Sequence, residues 1–242
     1  MRGIGASTYC MMEQSLSDAL EALSVWTDCV EILSDARHSL FDHAEIAASF
    51  DLQYTVHAPT ADLNVASDIE AVRRATLRVL ADLAEVCDQI GAGVLVVHPG
   101  ICLEPHLMRL SERALRRSLY DLSRLQEECA VTLAVENMGS WPCCHFRDTA
   151  LLPLLADLDL GFVLDVGHAH LNGNLEEFCR LGDPVHLHLH DNDGRTDLHA
   201  ACGIGGIDFL AVMEAVPSRA TAVVEVGDAR AVRPSLDYLN RL

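Results

Sequence analysis

The sequence predicts an α/β fold, a single (β/α)8 barrel formed by residues 1–242 as one domain. Three observations carry this. Short runs rich in β-branched residues alternate strictly with longer stretches of helical periodicity. There are eight of each. The length is close to the roughly 250 residues of such barrels.

Gly3–Ser7 opens the series as the first strand, followed by a short helix over Ser17–Leu23. Cys29–Leu33 is the second strand, and Phe41–Ala48 the helix after it. Gln53–His57 alternates apolar and polar residues, as a strand does. The helix over Ser67–Ile90 has the signature of a capping box, Ser67 with Glu70. Val94–His98 is a continuous apolar run ending in histidine, and Met108–Glu128 sets apolar residues at helical spacing with arginines opposite. Thr132–Glu136 and Gly161–Asp165 are strands that end on a carboxylate, separated by a helix over Thr149–Asp157. Asn174–Leu181 has Asn174 as its N-cap and Glu177 at N3. Val185–His190, a helix over Ile207–Val216, the strand Ala222–Val226 and a helix over Ala231–Leu242 complete the chain. A doubly wound open sheet is the alternative, but no GxGxxG follows the first strand.

Composition narrows the chemistry. The net charge is −19, and all 17 basic residues are arginine. With no lysine, Schiff-base chemistry, pyridoxal phosphate and a Walker A nucleotide site are excluded. The acidity argues against nucleic acid as a partner, which needs a basic stripe to displace counterions. Nine cysteines, none spaced CxxC, read as reduced thiols. The chain shows neither a long apolar run nor a signal-peptide pattern at its start, MRGIGASTYCMMEQS, so no membrane and a cytoplasmic location are expected. A homo-oligomer is compatible with all of this.

Catalytic residues of a barrel sit where its strands end. From the third strand to the eighth, the ends carry His57, His98, Glu136, Asp165, His188 and Glu225. The loops just beyond add His168, Asp197 and His199. Imidazole nitrogens and carboxylate oxygens are the donors taken by divalent ions such as Zn²⁺ and Mn²⁺, with Mg²⁺ and Co²⁺ as further candidates. So many titratable groups on one rim are costly unless cations neutralise them. His186 and His190 share a face with His188. His38, His43, His106 and His145 lie apart and are expected to be surface or satisfied histidines.

The segments VHAPTADLNVAS, VVHPG, AVENMG, LDVGHAHLNG, HLHDND, DLHAACGIGGID and VVEVG together resemble the xylose-isomerase-like TIM barrel superfamily of sugar-phosphate isomerases, epimerases and endonuclease IV. In the isomerase branch one divalent ion is held by positions that look like Glu136, Asp165, His188 and Glu225. In the endonuclease branch three zinc ions take nine ligands. There His57, His98 and Glu136 match the first site, Glu136 bridges to Asp165, His188 and Glu225 in the second, and His168, Asp197 and His199 match the third. The resemblance selects His188 among the three histidines of its strand, leaving His190 a supporting place. One departure is Ile204, where the family loop carries an acid.

Two chemistries follow, with one to three ions as cofactor. The first is isomerisation or epimerisation of a small sugar or sugar phosphate through an enediolate. Glu136 and Glu225 would move the proton, and His168 would contact a hydroxyl. Arg147, Arg195, Asn137 and Trp141 are the candidates for substrate contact, Asn137 also resembling, with Asn64, a residue that fixes loops. The second is phosphoester hydrolysis by a zinc cluster. A barrel that binds metal without catalysis is the third reading.

Overall fold

In the computed structural model, which describes residues 3–242, eight parallel strands close into a barrel in sequence order. The strands are β1 (Gly5–Ser7), β2 (Cys29–Leu33), β3 (Gln53–His57), β4 (Val94–Val97), β5 (Thr132–Glu136), β6 (Gly161–Asp165), β7 (His186–Leu189) and β8 (Thr221–Val224). Around them lie α1 (Leu16–Ser24), α2 (Leu40–Ala48), α3 (Glu70–Ile90), α4 (Met108–Gln126), α5 (Leu152–Asp157), α6 (Val166–Leu171), α7 (Leu175–Leu181), α8 (Phe209–Ala215) and α9 (Ala229–Leu239). The expected barrel is therefore present. Residues 1 and 2 of the expected domain and start segment lie outside the described residues. Among the described residues no helix is long and apolar enough to cross a membrane.

Most of the core lies between the barrel wall and the helices, where Leu20, Leu83, Leu119, Phe178 and Phe209 are buried. This belt closes the ring, because each amphipathic helix covers the outward residues of its strand. α3 is the clearest case. Its inner face buries Leu80, Leu83 and Cys87, and it ends at Gly91, whose φ of +71° accommodates the left-handed cap that breaks the helix.

Inside the barrel the layers are unequal. Val94, Val96, Ala134 and Val163 form a small apolar plug from β4, β5 and β6. The other strands point polar side chains inward. Glu31 is level with Thr55 across β2 and β3, and His186 is level with Thr221 across β7 and β8. One layer higher, His188 pairs in register with Asp165. A polar column thus rises on one side of the barrel toward its C-terminal mouth.

Three local expectations are corrected. Ser67 and Glu70 form no capping box: Ile69 is the cap residue, Ser67 Oγ accepts from Ile69 N–H, and Glu70 binds Arg73 and Arg74. Asn174 heads α7 without capping it through its side chain, which donates to the Arg147 carbonyl instead. A short helix, α6, also follows β6, where only a loop is predicted.

Candidate functional site

The mouth of the barrel gathers all nine candidate ligands. With His190, which was expected only to support them, they fall into adjoining groups whose donor atoms lie within 4.8 Å of one another: His57, His98 and Glu136; Glu136, Asp165 and His188; Asp165, His190 and Glu225; and His168, His190, Asp197 and His199. Glu225 thus groups with His190 and not, as expected, with Glu136 and His188. Glu136 joins the first two. Its Oε2 is 3.1 Å from Nε2 of both His57 and His98, and its Oε1 is 3.2 Å from His188 Nδ1. Asp165 joins the second and third. Glu225 Oε2 lies 3.6 Å from His188 Nδ1 and 3.7 Å from His199 Nδ1.

Each position follows from local structure. Asp165 ends β6 and caps α6, accepting from the His168 N–H at 2.6 Å. That cap turns the chain so that His168 faces back over the barrel. His168 Nε2 then lies 3.4 Å from Asp197 Oδ2, which is 3.3 Å from His199 Nε2. His199 holds a φ of +42°, a costly conformation for a side-chain-bearing residue that here aims the ring at the site. Gly167 lets the His190 ring lie directly over α6, because a Cβ there would sit inside that ring.

The histidines are oriented from behind. His57 Nδ1 donates to the Ala58 carbonyl (2.7 Å), His168 Nδ1 to that of Asn137 (3.0 Å) and His199 Nδ1 to that of Glu225 (2.9 Å). Each pairing leaves Nε2 directed at the carboxylates. Two buried polar atoms, Asp197 Oδ1 and His190 Nδ1, have no hydrogen-bond partner and face each other at 4.0 Å. Unpaired buried donors and acceptors are costly. Such a set, rich in carboxylate and ring nitrogen, fits divalent cations.

Charge follows the geometry. Burial alone would raise the carboxyls of Glu136 and Asp165, yet the histidines around them, His188 and His168 foremost, hold both below the usual range. Asp197 is lowered in the same way by His168 and His199. Burial opposes the charged imidazole, but Glu136 pushes His57 up to about 9, and Asp197 with Glu225 pushes His199 up to about 9. In the metal-free protein these histidines gain stability from protonation. The gain is complete below about pH 6.5, the unfolded-state value, and lost as pH rises through 9. Metal-free melting temperature is therefore expected to fall between pH 6.5 and 9.5. Ion affinity should rise over the same window, because the ion displaces those protons. Thermal melts with chelator, beside competition titrations at each pH, check both slopes.

The residues expected to contact substrate occupy different places. Asn137 is buried, its amide clasping the Asp165 backbone on both sides (Nδ2 to the carbonyl at 3.0 Å, N–H to Oδ1 at 2.8 Å), so it braces the site. Arg147 lines a separate hollow of about 290 Å³ with Glu112, Arg116 and His145. Arg195 is exposed on the loop that leads to Asp197. Trp141 stands at the mouth, its ring 6.2 Å from His168. Asn64 does fix a loop, binding the Ile101 and Ala66 backbone. His145 is satisfied by Ser111 (2.8 Å), whereas His38 is fully buried with neither ring nitrogen hydrogen-bonded, so it is neither at the surface nor satisfied.

Three residues near the site carry no signal in the strand ends. Tyr9, just after β1, places its ring 4.9 Å from His199. Glu31 lies inside β2, a layer below the rim, against His186 and His188. Asp191 holds the loop that has Ile204 in place of an acid: its carboxylate accepts from the amides of Gly203, Gly205 and Ile207.

A family model described as xylose isomerase-like TIM barrel matches residues 27–242. An uncharacterised protein of Methanocaldococcus jannaschii is 36% identical over 212 residues, covering 86% of this chain and 84% of the relative. A probable endonuclease 4 of Mycobacterium leprae is 27% identical over 199 residues, 77% of each chain. A crystal structure of a D-tagatose 3-epimerase-like protein superposes with a TM-score of 0.88 at 27% identity, covering 99% of this chain and 96% of that one.

Proposed function

Because the chain belongs to the xylose isomerase-like TIM barrel family, we propose that it is a divalent-metal-dependent isomerase or epimerase of a small sugar or sugar phosphate. One observation carries this reading: Glu136 and Glu225 both lie within 4 Å of the same nitrogen, His188 Nδ1. Two carboxylates are thereby brought to one centre from different strands. Glu136, Asp165, His188 and Glu225 would hold the ion, which when bound supplies Lewis-acid stabilisation of charge on neighbouring oxygens.

The chain's own groups do the rest. One glutamate, as the carboxylate, takes the proton from the carbon beside the carbonyl, and the other, as the acid, gives its own proton to that carbon. Neighbouring imidazoles, His188 foremost, hold Glu136 in the charged form that the base requires. Trp141 and Tyr9 wall the mouth and limit water. The loops above the strand ends expose Ile101, Leu103, Trp141, Leu198 and Ile204, side chains suited to a small ligand and not to a phosphate backbone.

A panel of sugars and sugar phosphates incubated with metal-loaded protein in deuterated water tests the reading. Deuterium should enter beside the carbonyl, and the rate should fall at least about 100-fold in Glu136→Gln and in Glu225→Gln, a typical loss for a missing acid–base group. Nicking of abasic duplex without sugar exchange would replace this reading by the second.

That second reading is phosphoester hydrolysis, favoured by the filled groups on either side, His57 with His98 and His168 with Asp197 and His199. A one-ion isomerase has no need of them. Three ions per chain under saturating Zn²⁺, with replacement of His57 and His98 removing one, would favour hydrolysis. A count fixed at one would favour isomerisation.

A further inference from the structure

Glu31 lies outside the ligand set, buried beneath it on β2. His57, His168 and His199 each rest against a neutral backbone carbonyl. His188 instead rests on a charged group. Its Nε2 donates to Glu31 Oε2 at 3.3 Å, with Oε1 3.1 Å away, while Nδ1 faces Glu136, Asp165 and Glu225 at 3.2, 3.8 and 3.6 Å. Glu31 is itself gripped from below: Thr55 Oγ1 donates to Oε2 at 3.1 Å, and His186 Nε2 lies 3.1 Å from the same oxygen. His186 Nδ1 pairs with the Thr221 hydroxyl at 2.6 Å. A polar chain thus runs from β8 through β7 and β2 to the ring at the centre of the site.

We infer that Glu31 is a positioning residue for the ion held at His188: it accepts a hydrogen bond from Nε2–H, so that Nδ1 is presented to the ion, and sets a buried negative charge one layer below. The inference rests on the metal reading above. Its physical basis is that a carboxylate behind a histidine fixes ring and tautomer and makes the free nitrogen a stronger donor than a carbonyl does. Glu31, His186 and His188 could also be taken as an ion site of their own. Against that, Glu31 Oε2 already accepts from the Thr55 hydroxyl and the His188 ring, which leaves an ion only two open donors there, Glu31 Oε1 and His186 Nε2. His188 would have to give up its remaining proton to bind an ion on each nitrogen.

The test compares full-length wild type with Glu31→Gln, which preserves volume and removes charge. Zinc competition against a chromophoric chelator should show one ion weakened about 10- to 100-fold, the usual loss for an outer carboxylate. The ion count should stay unchanged, with the His168–Asp197–His199 position unaffected. Equal affinities in the two proteins would overturn the inference, and so would loss of one whole ion, which would make Glu31 a ligand. Wild type that binds no zinc would instead sink the metal reading itself. A second measurement needs no variant: in ¹⁵N-histidine-labelled protein loaded with ¹¹³Cd, the His188 ring should couple to cadmium through Nδ1 and retain a protonated Nε2. Coupling through Nε2 would contradict the assignment even where Glu31→Gln fails to fold.

Discussion

Glu136→Gln is expected to empty two adjacent ion positions at once. Glu136 is buried, and its two oxygens serve different histidines, Oε2 facing His57 and His98 and Oε1 facing His188. An amide keeps the shape, but it turns an N–H₂ toward one of those groups and carries no charge for a cation. An ion at 100 times its dissociation constant stabilises by about 2.7 kcal/mol. Losing two lowers the metal-loaded melting temperature by roughly 10–20 °C, at about 2–4 °C per kcal/mol for a chain of this size. The metal-free variant loses less, because the facing imidazoles can give up protons once the carboxylate is gone. Melting curves with and without Zn²⁺ check this. A full zinc-induced rise in Glu136→Gln would show that the two groups do not share an anchor.

Gly167→Ala is expected to destabilise the protein, against the usual sign of such a change in a helix. On an open helix face, alanine gains about 0.5–1 kcal/mol over glycine. In α6 the added methyl would occupy the space of the His190 ring, which stacks on His199 at 3.9 Å and donates from Nε2 to Asp165 at 3.1 Å. Displacing that ring costs about 1–3 kcal/mol in overpacking and about 1–3 kcal/mol in an unmade buried hydrogen bond. The steric cost therefore wins, with a net loss of roughly 2–4 kcal/mol after the helix gain. Removing the ring in Gly167→Ala/His190→Ala should relieve the overpacking. A double-mutant cycle would then show coupling of more than about 0.5 kcal/mol. Additive effects, or a stabilised single variant, would mean that His190 is not seated as described.

The fold was legible because each strand of a barrel buries both faces and so reads as a short apolar run, bounded by helices of clear periodicity. β2, β3, β5 and β6 have the predicted limits, and the strand ends led directly to His57, Glu136 and Asp165. Less legible was anything set by depth or by a neighbour's hydrogen bonds. Glu31 reads as a polar residue in a half-exposed strand until the barrel closes and brings β7 across to it. The alternation along β7 placed three histidines on one face but could not say which level each occupies; His186, His188 and His190 lie at successive levels of the barrel. Asn137 beside a candidate ligand suggested substrate contact, whereas both its amide atoms are spent on the next strand. α6 escaped because six residues are too few for a helical period to show, and its start depends on the Asp165 cap.

The central claim is that Glu136, Asp165, His188 and Glu225 hold a divalent ion. Elemental analysis of dialysed protein, paired with the same measurement on Asp165→Asn, tests it most directly. Asp165 is buried between two ion groups, and its carboxylate cannot be replaced by a solvent-borne ligand. Expected are at least one tightly held ion per wild-type chain, a stoichiometric loss in Asp165→Asn, and a melting temperature that falls when chelator strips the ion. Protein that retains no ion after dialysis against Zn²⁺ or Mn²⁺, and melts identically with and without chelator, would contradict it.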